Sequence, residues 1–144
     1  IMAANTIPIY TKLGQIGWSG VITTANTAKD GTGTVNLIFT AGADGARVER
    51  IRVRALGTNV ATVLRIFINN GSDPTVAANN VLYAEKTIAA TTLSETAELA
   101  LNELPTTTDT TAFPIVLPPS YRLYCTIGTT ISAGIRVMAI GGTY

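Results

Sequence analysis

The stretch RVERIRVRALGTNVATVLRIFINN, residues 47–70, decides the fold class of this sequence. In its first half apolar and charged residues alternate, with Ile51 and Val53 on one parity and three arginines on the other. Successive side chains of a strand point to opposite faces of a sheet, so this pattern predicts a half-buried strand with cations on its open face. Those cations are Arg50, Arg52 and Arg54.

The same stretch contains an irregularity and a second predicted strand. Val48 departs from the alternation, which predicts either a β-bulge near Glu49 or the start of the strand there. After a turn-like segment at residues 57–59, apolar residues alternate again over residues 64–68 and stop at Asn69-Asn70. We predict that these two strands form the nucleus of a sheet as a central pair.

Other segments of the chain also have strand patterns, separated by segments rich in turn-forming residues. They are residues 15–24, 34–40, 81–89, 113–117, 121–128 and 134–141. The last two are predicted to pair around the loop at residues 129–133. Residues 93–104 fit either a helix or a strand, and the strand is favoured because the neighbouring segments are strands. Short strands at intervals of about 10 to 12 residues predict an all-β antiparallel sandwich or barrel.

The length of 144 residues fits one domain with a sizeable core. Pro8 stands between two isoleucines in a segment without helical periodicity, which indicates extended backbone. We therefore predict an extended N-terminal arm at residues 1–14 and a single β-sandwich domain at residues 15–144. Such an arm becomes ordered only when it docks on something.

The composition indicates a covered surface. Charged residues make up 13% of the chain, about half of the usual share of roughly 25%. Few charges favour a protein whose surface is partly covered by copies of itself or by a partner, although a threonine-rich monomer is the alternative. The net charge of +1 argues against nucleic-acid binding, and no apolar run is long enough to span a membrane.

The residue types needed for common catalytic sites are missing. The sequence has no histidine, so a Ser-His-Asp triad or a Cys/His zinc site cannot form. The carboxylates are scattered, and residues 31–34 form a glycine-rich turn without the lysine of a phosphate-binding loop. Asp30 and Asp73 have neighbours that could ligate calcium, but turn chemistry explains them better. We predict no enzyme activity and no catalytic, cofactor-binding or metal-ligating residues.

The arginine row has two interpretations. It is either an ordinary solvated strand face, paired with Glu85 or Glu98 of a neighbouring strand, or a protein interface, where arginine is enriched. Two further predictions follow from the alternation in residues 121–128: Cys125 is a buried structural thiol, and Tyr124, on the opposite parity, is exposed.

Three stretches resemble a group of small virion proteins of tailed bacteriophages. They are TANTAKDGTGTV (24–35), FTAGADGARVERIRVRALGTNVATVLRIFINNG (39–71) and LPPSYRLYCTIGTTISAGIRVMAIGGTY (117–144). By architecture, the best-understood relatives of this group are capsid decoration, or cement, proteins with a jelly-roll fold that lock capsid subunits together. The resemblance, together with the strand number, favours a sandwich of jelly-roll type.

What the resemblance implies is a non-enzymatic homo-oligomer, a dimer or trimer, bound to the major capsid protein on the capsid surface of the virion. We expect residues 2–13 and 105–112 to reach neighbouring subunits. The candidate interface residues are Ile7, Ile9, Tyr10, Arg50, Arg52 and Arg54. The alternative class is a tail, fibre or neck component, including a receptor- or carbohydrate-binding β module.

Overall fold

Strands account for nearly all regular structure in the part of the chain that the computed structural model describes, residues 10–106 and 112–144. The strands are β1 (Leu13–Trp18), β2 (Asn36–Thr40), β3 (Ala46–Ala55), β4 (Thr62–Asn69), β5 (Asn80–Ile88), β6 (Asn102–Leu104), β7 (Ile115–Leu117), β8 (Arg122–Ile127) and β9 (Ile135–Thr143). A single turn of 3-10 helix, Ala77–Asn79, precedes β5. The prediction of an all-β fold is confirmed.

The strands form two antiparallel sheets that pack face to face. Sheet A has the order β1-β9-β3-β6, with β7 also paired to β3, and sheet B has the order β2-β8-β4-β5. The inward side chains of both sheets build one apolar core. This is a β-sandwich, as predicted, because each sheet buries one face against the other. Residues 1–9 of the predicted arm lie outside the described residues, so the arm stays a prediction.

Strand β3 confirms the central sequence pattern. Val48, Ile51 and Val53 are buried in the core, while the arginines lie on the opposite face. The pairing of β3 with β9 shifts register between Val48 and Arg50, which leaves Glu49 as the extra residue of a bulge. The bulge allows Val48 and Ile51 to face the same core although their spacing in the sequence is odd.

The predicted partners of the central strands are wrong. β3 and β4 lie in opposite sheets, where β3 pairs with β9 and β4 pairs with β8 and β5. The predicted pairing of β8 with β9 is wrong for the same reason. The links at residues 56–61 and 128–134 cross from one sheet to the other, and an alternating pattern identifies a strand without identifying its neighbour.

A buried asparagine fastens these crossing links. Asn59 Oδ1 accepts hydrogen bonds from the backbone N–H groups of Ala133 (2.8 Å) and Gly134 (3.0 Å), and its Nδ2 donates to the Gly134 carbonyl. The backbones of Asn59 and Thr91 also bond to each other in both directions. Since these polar groups are buried, their mutual satisfaction fixes where the chain changes sheets.

The segment at residues 93–104 is mostly irregular. Only Asn102–Leu104 forms a strand, so the preferred prediction is correct for the last three residues alone, and the helical alternative is not observed. Leu93 and Leu101 are exposed, whereas Leu104 is buried. The apolar periodicity of this segment therefore has no surface to pack against, which removes the main stabilisation of a helix.

Candidate functional site: the outer face of sheet A

The arginine row lies on the face of sheet A that points away from sheet B. In the antiparallel register, Arg50, Arg52 and Arg54 of β3 stand opposite residues of the central strand β9. Those residues are Ile140, Met138 and Arg136, respectively. The sheet thus brings a fourth arginine onto the predicted cationic face.

Arg52 is held by an ion pair. Its Nε donates to Glu103 Oε1 at 2.8 Å, and its Nη2 lies 2.6 Å from the same oxygen. Glu103 belongs to β6 and is the direct cross-strand neighbour of Arg52. Both side chains remain about one third exposed, at 35% and 31%, so the pair contributes little to stability and mainly fixes the Arg52 guanidinium in place.

Arg54 and Arg136 form an uncompensated pair of like charges. They face each other directly across β3 and β9, and both are exposed. Within residues 10–106 and 112–144, none of the ion pairs involves Arg50, Arg54 or Arg136. Arg54 Nη1 makes one long hydrogen bond, 3.4 Å, to the Leu99 carbonyl. Like charges placed opposite each other destabilise a sheet, so this arrangement opposes folding.

An apolar stripe runs beside the arginines along β1 and β9. Ile16 stands opposite Ile140, and Trp18 stands opposite Met138. Trp18, the single tryptophan of the chain, exposes 61% of its surface, and Ile16 is also exposed. Large apolar side chains that cluster on the surface mark interaction sites more often than isolated ones do.

The stripe and the arginines meet in a shallow groove of about 250 Å³. We call it the sheet A groove; its lining residues are Trp18, Arg52, Arg54, Leu56, Arg136, Val137 and Met138. The groove combines guanidinium donors with an aromatic and aliphatic wall. That combination suits recognition by charge and by apolar contact, because arginine and tryptophan are both enriched at interfaces.

The candidate interface residues fall into separate regions. Arg50, Arg52 and Arg54 share one face, whereas the exposed Tyr10 precedes the opposite end of sheet A, where Leu13 pairs with Thr143. Ile7 and Ile9 lie outside the described residues. Whether any of these residues forms an interface stays a prediction.

Sequence reasoning missed Arg136 and Met138 as members of the site, and it did not place Trp18 on the same face as the arginines. The alternation that identified the arginines of β3 also runs through β9, where Arg136 and Met138 share the outward parity. The signal for the outward face was therefore present. The register that places Arg136 against Arg54 is not readable from either strand alone.

The prediction that Tyr124 is exposed is wrong. Tyr124 has the outward parity on sheet B, but only 9% of its surface is exposed, and it lies outside the apolar cluster between the sheets. The loop at residues 25–35 bonds to the last residue of β8 and the first residue of β5, both strands of this sheet. The Asn26 N–H donates to the Ile127 carbonyl at 2.8 Å, and Asn80 Nδ2 donates to the Gly31 carbonyl at 3.4 Å.

Asp30 and Asp73 each accept hydrogen bonds from the threonine two residues later, which is the turn chemistry expected for them. Hydrogen bonds from the Thr32 side chain and backbone lower the pKa of Asp30, and those from the Thr75 backbone and side chain lower the pKa of Asp73. Among the described residues, no group of three or more His, Cys, Asp or Glu side chains is arranged to hold a metal ion. The described chain also contains no helix with the length and hydropathy needed to cross a membrane.

The single cysteine is sealed in the core. Cys125 is free and buried, as predicted, and burial raises its pKa because the thiolate is poorly solvated there. A thiol in this environment is a weak nucleophile at neutral pH.

Comparisons with known proteins add no relatives: no family model, no curated protein and no solved structure matches this chain.

Proposed function

We propose that this chain is a non-enzymatic structural protein of a bacteriophage virion. In this proposal it is a capsid decoration, or cement, protein that binds the outer surface of the shell and stabilises it. Its partners are the major capsid protein and further copies of itself, and its place is the capsid surface. The resemblance of three long stretches of the chain to phage virion proteins supports this proposal.

We also propose that the sandwich is of jelly-roll type. A jelly roll is a long hairpin rolled into two sheets, so its strands pair from the two ends of the chain inwards. The order of pairing here is consistent with that path: β1 with β9, β2 with β8, β3 with β6 and β7, and β4 with β5.

The outer face of sheet A is the observation that carries the functional proposal. It combines the exposed Trp18 with arginines that no described carboxylate neutralises. A partner that covers this face would remove apolar surface from water and relieve the repulsion between Arg54 and Arg136. On a symmetric shell, many identical weak contacts of this kind combine into tight overall binding.

Cosedimentation with capsids that lack this protein tests the proposal, alongside light scattering to measure its mass in solution. We expect saturable binding at a fixed ratio to the major capsid protein, and shells that resist disruption better when it is bound. A triple variant, Arg50→Ala, Arg52→Ala and Arg54→Ala, should reduce occupancy. Wild-type protein that does not sediment with capsids would refute the cement role.

The N-terminal segment provides a second test of the same role. Deleting residues 2–10 should reduce capsid occupancy without unfolding the domain, because strand β1 begins after this segment, at Leu13. Unchanged occupancy would mean that the predicted arm does not reach neighbouring subunits.

The exposure of Trp18 also favours a second candidate, a tail, fibre or neck module that binds a receptor or carbohydrate. Exposed aromatic rings are common in sugar-binding sites, although here the groove is lined by arginines and apolar residues without a carboxylate or amide side chain. A glycan array distinguishes the two candidates, since selective glycan binding combined with no capsid binding would favour this one.

A further inference from the structure

We propose that the sheet A groove binds an acidic, extended segment of a partner protein. Carboxylates of that segment pair with Arg54 and Arg136, and an apolar side chain next to them packs against Trp18 and Met138. That the partner is the major capsid protein rests on the proposed function, whereas the chemistry of the ligand rests on the groove itself.

The charges of the groove argue for carboxylate. Arg54 and Arg136 are cross-strand neighbours, whose Cβ atoms stand about 5 Å apart in an antiparallel sheet. Two guanidinium groups at this spacing can both reach one carboxylate, or bind two carboxylates of one segment. Pairs of this kind are charge-assisted and often bidentate, which makes them directional as well as strong.

Arg52 has a different role from its two neighbours. Its guanidinium is already bound to Glu103, at 2.6 Å between Nη2 and Oε1. It therefore serves as a fixed wall of the groove. The free cations are confined to one end, next to Leu56, so a bound segment has a defined place for its carboxylates.

The apolar side of the groove argues for a peptide rather than for other anions. Trp18 and Met138 are direct cross-strand neighbours, and Trp18 is largely exposed. A sugar hydroxyl both donates and accepts hydrogen bonds, and the groove has guanidinium and indole donors for its oxygen but no carboxylate, amide or hydroxyl side chain to accept its proton. Nucleic acid is disfavoured because the chain has a net charge of +1 and the groove has one aromatic ring.

The sheet also suits an extended ligand. Alternate residues of a strand are about 7 Å apart along the strand, so the outward side chains of β3 and β9 form rows with that repeat. An extended segment lying along these rows repeats its own side chains at the same interval. A segment that carries both residue types can then place a carboxylate at Arg54 and Arg136 and an apolar side chain about 7 Å further along, beside Met138 and Trp18.

Because Trp18 is the single tryptophan and lines the groove, its fluorescence reports on binding there. The experiment titrates the full chain with an acetylated and amidated pentapeptide, Glu-Leu-Glu-Leu-Glu, at low salt. We expect a saturable blue shift with a Kd of about 1 mM or tighter. The matching Gln-Leu-Gln-Leu-Gln peptide should bind at least about tenfold more weakly, because it keeps the apolar contacts and loses the charge-assisted bonds.

Variants place the binding in the groove. The double variant Arg54→Ala and Arg136→Ala should weaken binding of the acidic peptide by about tenfold. Lys29→Ala, which removes an exposed cation from the loop over sheet B, is the matched control and should bind as wild type does. Far-UV circular dichroism confirms that each variant keeps its strands.

Two outcomes of the titration would overturn the proposal, and a third would change the ligand. No saturable shift up to about 5 mM, or equal binding of the glutamine peptide, would show that the groove does not select carboxylate. Tighter binding of a short oligothymidylate would reassign it to phosphate. Peptide binding without capsid cosedimentation would remove the cement role and leave the groove assignment intact. Capsid binding that the double variant retains would keep the cement role and show that the capsid does not bind through this groove.

Discussion

The outer faces of the two sheets differ although the sheets are built alike. The central strand of sheet A, β9, alternates between buried and partly exposed residues along most of its length, whereas the central strand of sheet B, β8, is buried on both faces from Leu123 to Ile127. The outer face of sheet A is open to solvent. The outer face of sheet B is closed at its middle, where Phe67 and Tyr124 are buried, and the loop at residues 25–35 bonds to Ile127 of β8 and to Asn80 of β5.

The arginines of the two outer faces also differ in burial and in ion pairing. On sheet B, Arg65 has a largely buried side chain, 12% exposed, and its Nε donates to Glu85 Oε1 at 2.9 Å. Its Nη1, like Oγ1 of its cross-strand neighbour Thr126, is buried without a hydrogen-bond partner in the described chain. On sheet A, Arg54 and Arg136 remain in solvent. Arg65 of sheet B is thus paired within the domain, whereas Arg54 and Arg136 of sheet A are exposed and belong to none of the ion pairs among the described residues.

The largest expected effect comes from comparing one aromatic residue on each outer face. Phe67 of β4 is fully buried although it lies outside the cluster between the sheets, and Trp18 is mostly exposed. Phe67→Ala should lower the free energy of unfolding by about 3–5 kcal/mol, and Trp18→Ala by less than about 1 kcal/mol. Urea unfolding followed by circular dichroism measures both.

Equal losses from the two substitutions would contradict the difference in burial between Phe67 on sheet B and Trp18 on sheet A. If Phe67→Ala does not fold, Phe67→Leu provides the same comparison with a smaller loss, because it retains most of the buried volume.

The next effect compares the ion pairs of the two faces. Glu85→Gln leaves the buried Arg65 without its counter-charge and should cost about 1–2 kcal/mol, since a largely buried cation cannot replace that partner with water. Glu103→Gln acts on a pair that is about one third exposed and should cost about 0–1 kcal/mol. Thermal or urea unfolding of the two variants, measured side by side, gives both losses. A larger loss for Glu103→Gln would mean that the ion pair of sheet A stabilises the domain more than that of sheet B.

Cys125 tests how completely β8 is sealed. Burial raises its pKa above that of the unfolded thiol, about 8.5, so above this pH the unfolded state releases a proton that the native state keeps. The native state is therefore favoured less as the pH rises, by up to about 1.4 kcal/mol per pH unit. We expect this loss in wild type and not in Cys125→Ala. Other groups titrate equally in both proteins, so the difference between their free energies of unfolding at each pH isolates the thiol. Parallel pH profiles of the two proteins would mean that the thiol is hydrated.

The smallest expected effect is a gain in stability. Arg136→Glu replaces the like-charge pair opposite Arg54 with an attractive pair and should raise the free energy of unfolding by about 0.2–1 kcal/mol at low salt. Roughly 1 M salt should remove most of the gain by screening. Lys29→Glu, at an exposed loop position, is the control and should stay within about 0.5 kcal/mol of wild type. A destabilised Arg136→Glu would mean that the two arginines do not repel each other.

These contrasts also show what the sequence can predict. The strands were predictable because the alternation in a segment such as residues 47–55 is local, and the bulge at Glu49 was visible as a break in it. The partners of the strands were not predictable in the same way. β3 pairs with β9, some eighty residues further along the chain, and parity indicates which face a residue occupies without indicating its neighbour.

The candidate site likewise has features that the sequence predicts and features that depend on strand pairing. The arginines of β3 were predictable as one face, but the charge clash between Arg54 and Arg136 exists only through the register. Tyr124 shows the opposite failure: its outward parity is correct, yet only 9% of its surface is exposed. Local periodicity thus predicts orientation, while long-range packing decides exposure.

The position of β9 between β1 and β3 has a consequence for how the protein is made. During synthesis, residues 13–18 and 46–55 leave the ribosome long before residues 135–143 exist to pair with them. Until β9 is made, the edges of β1 and β3 that pair with it remain unpaired and open to other chains. Folding should therefore be slow, because its decisive contacts join distant parts of the chain. The face that we assign to a partner is then completed only when one of the last strands has been made.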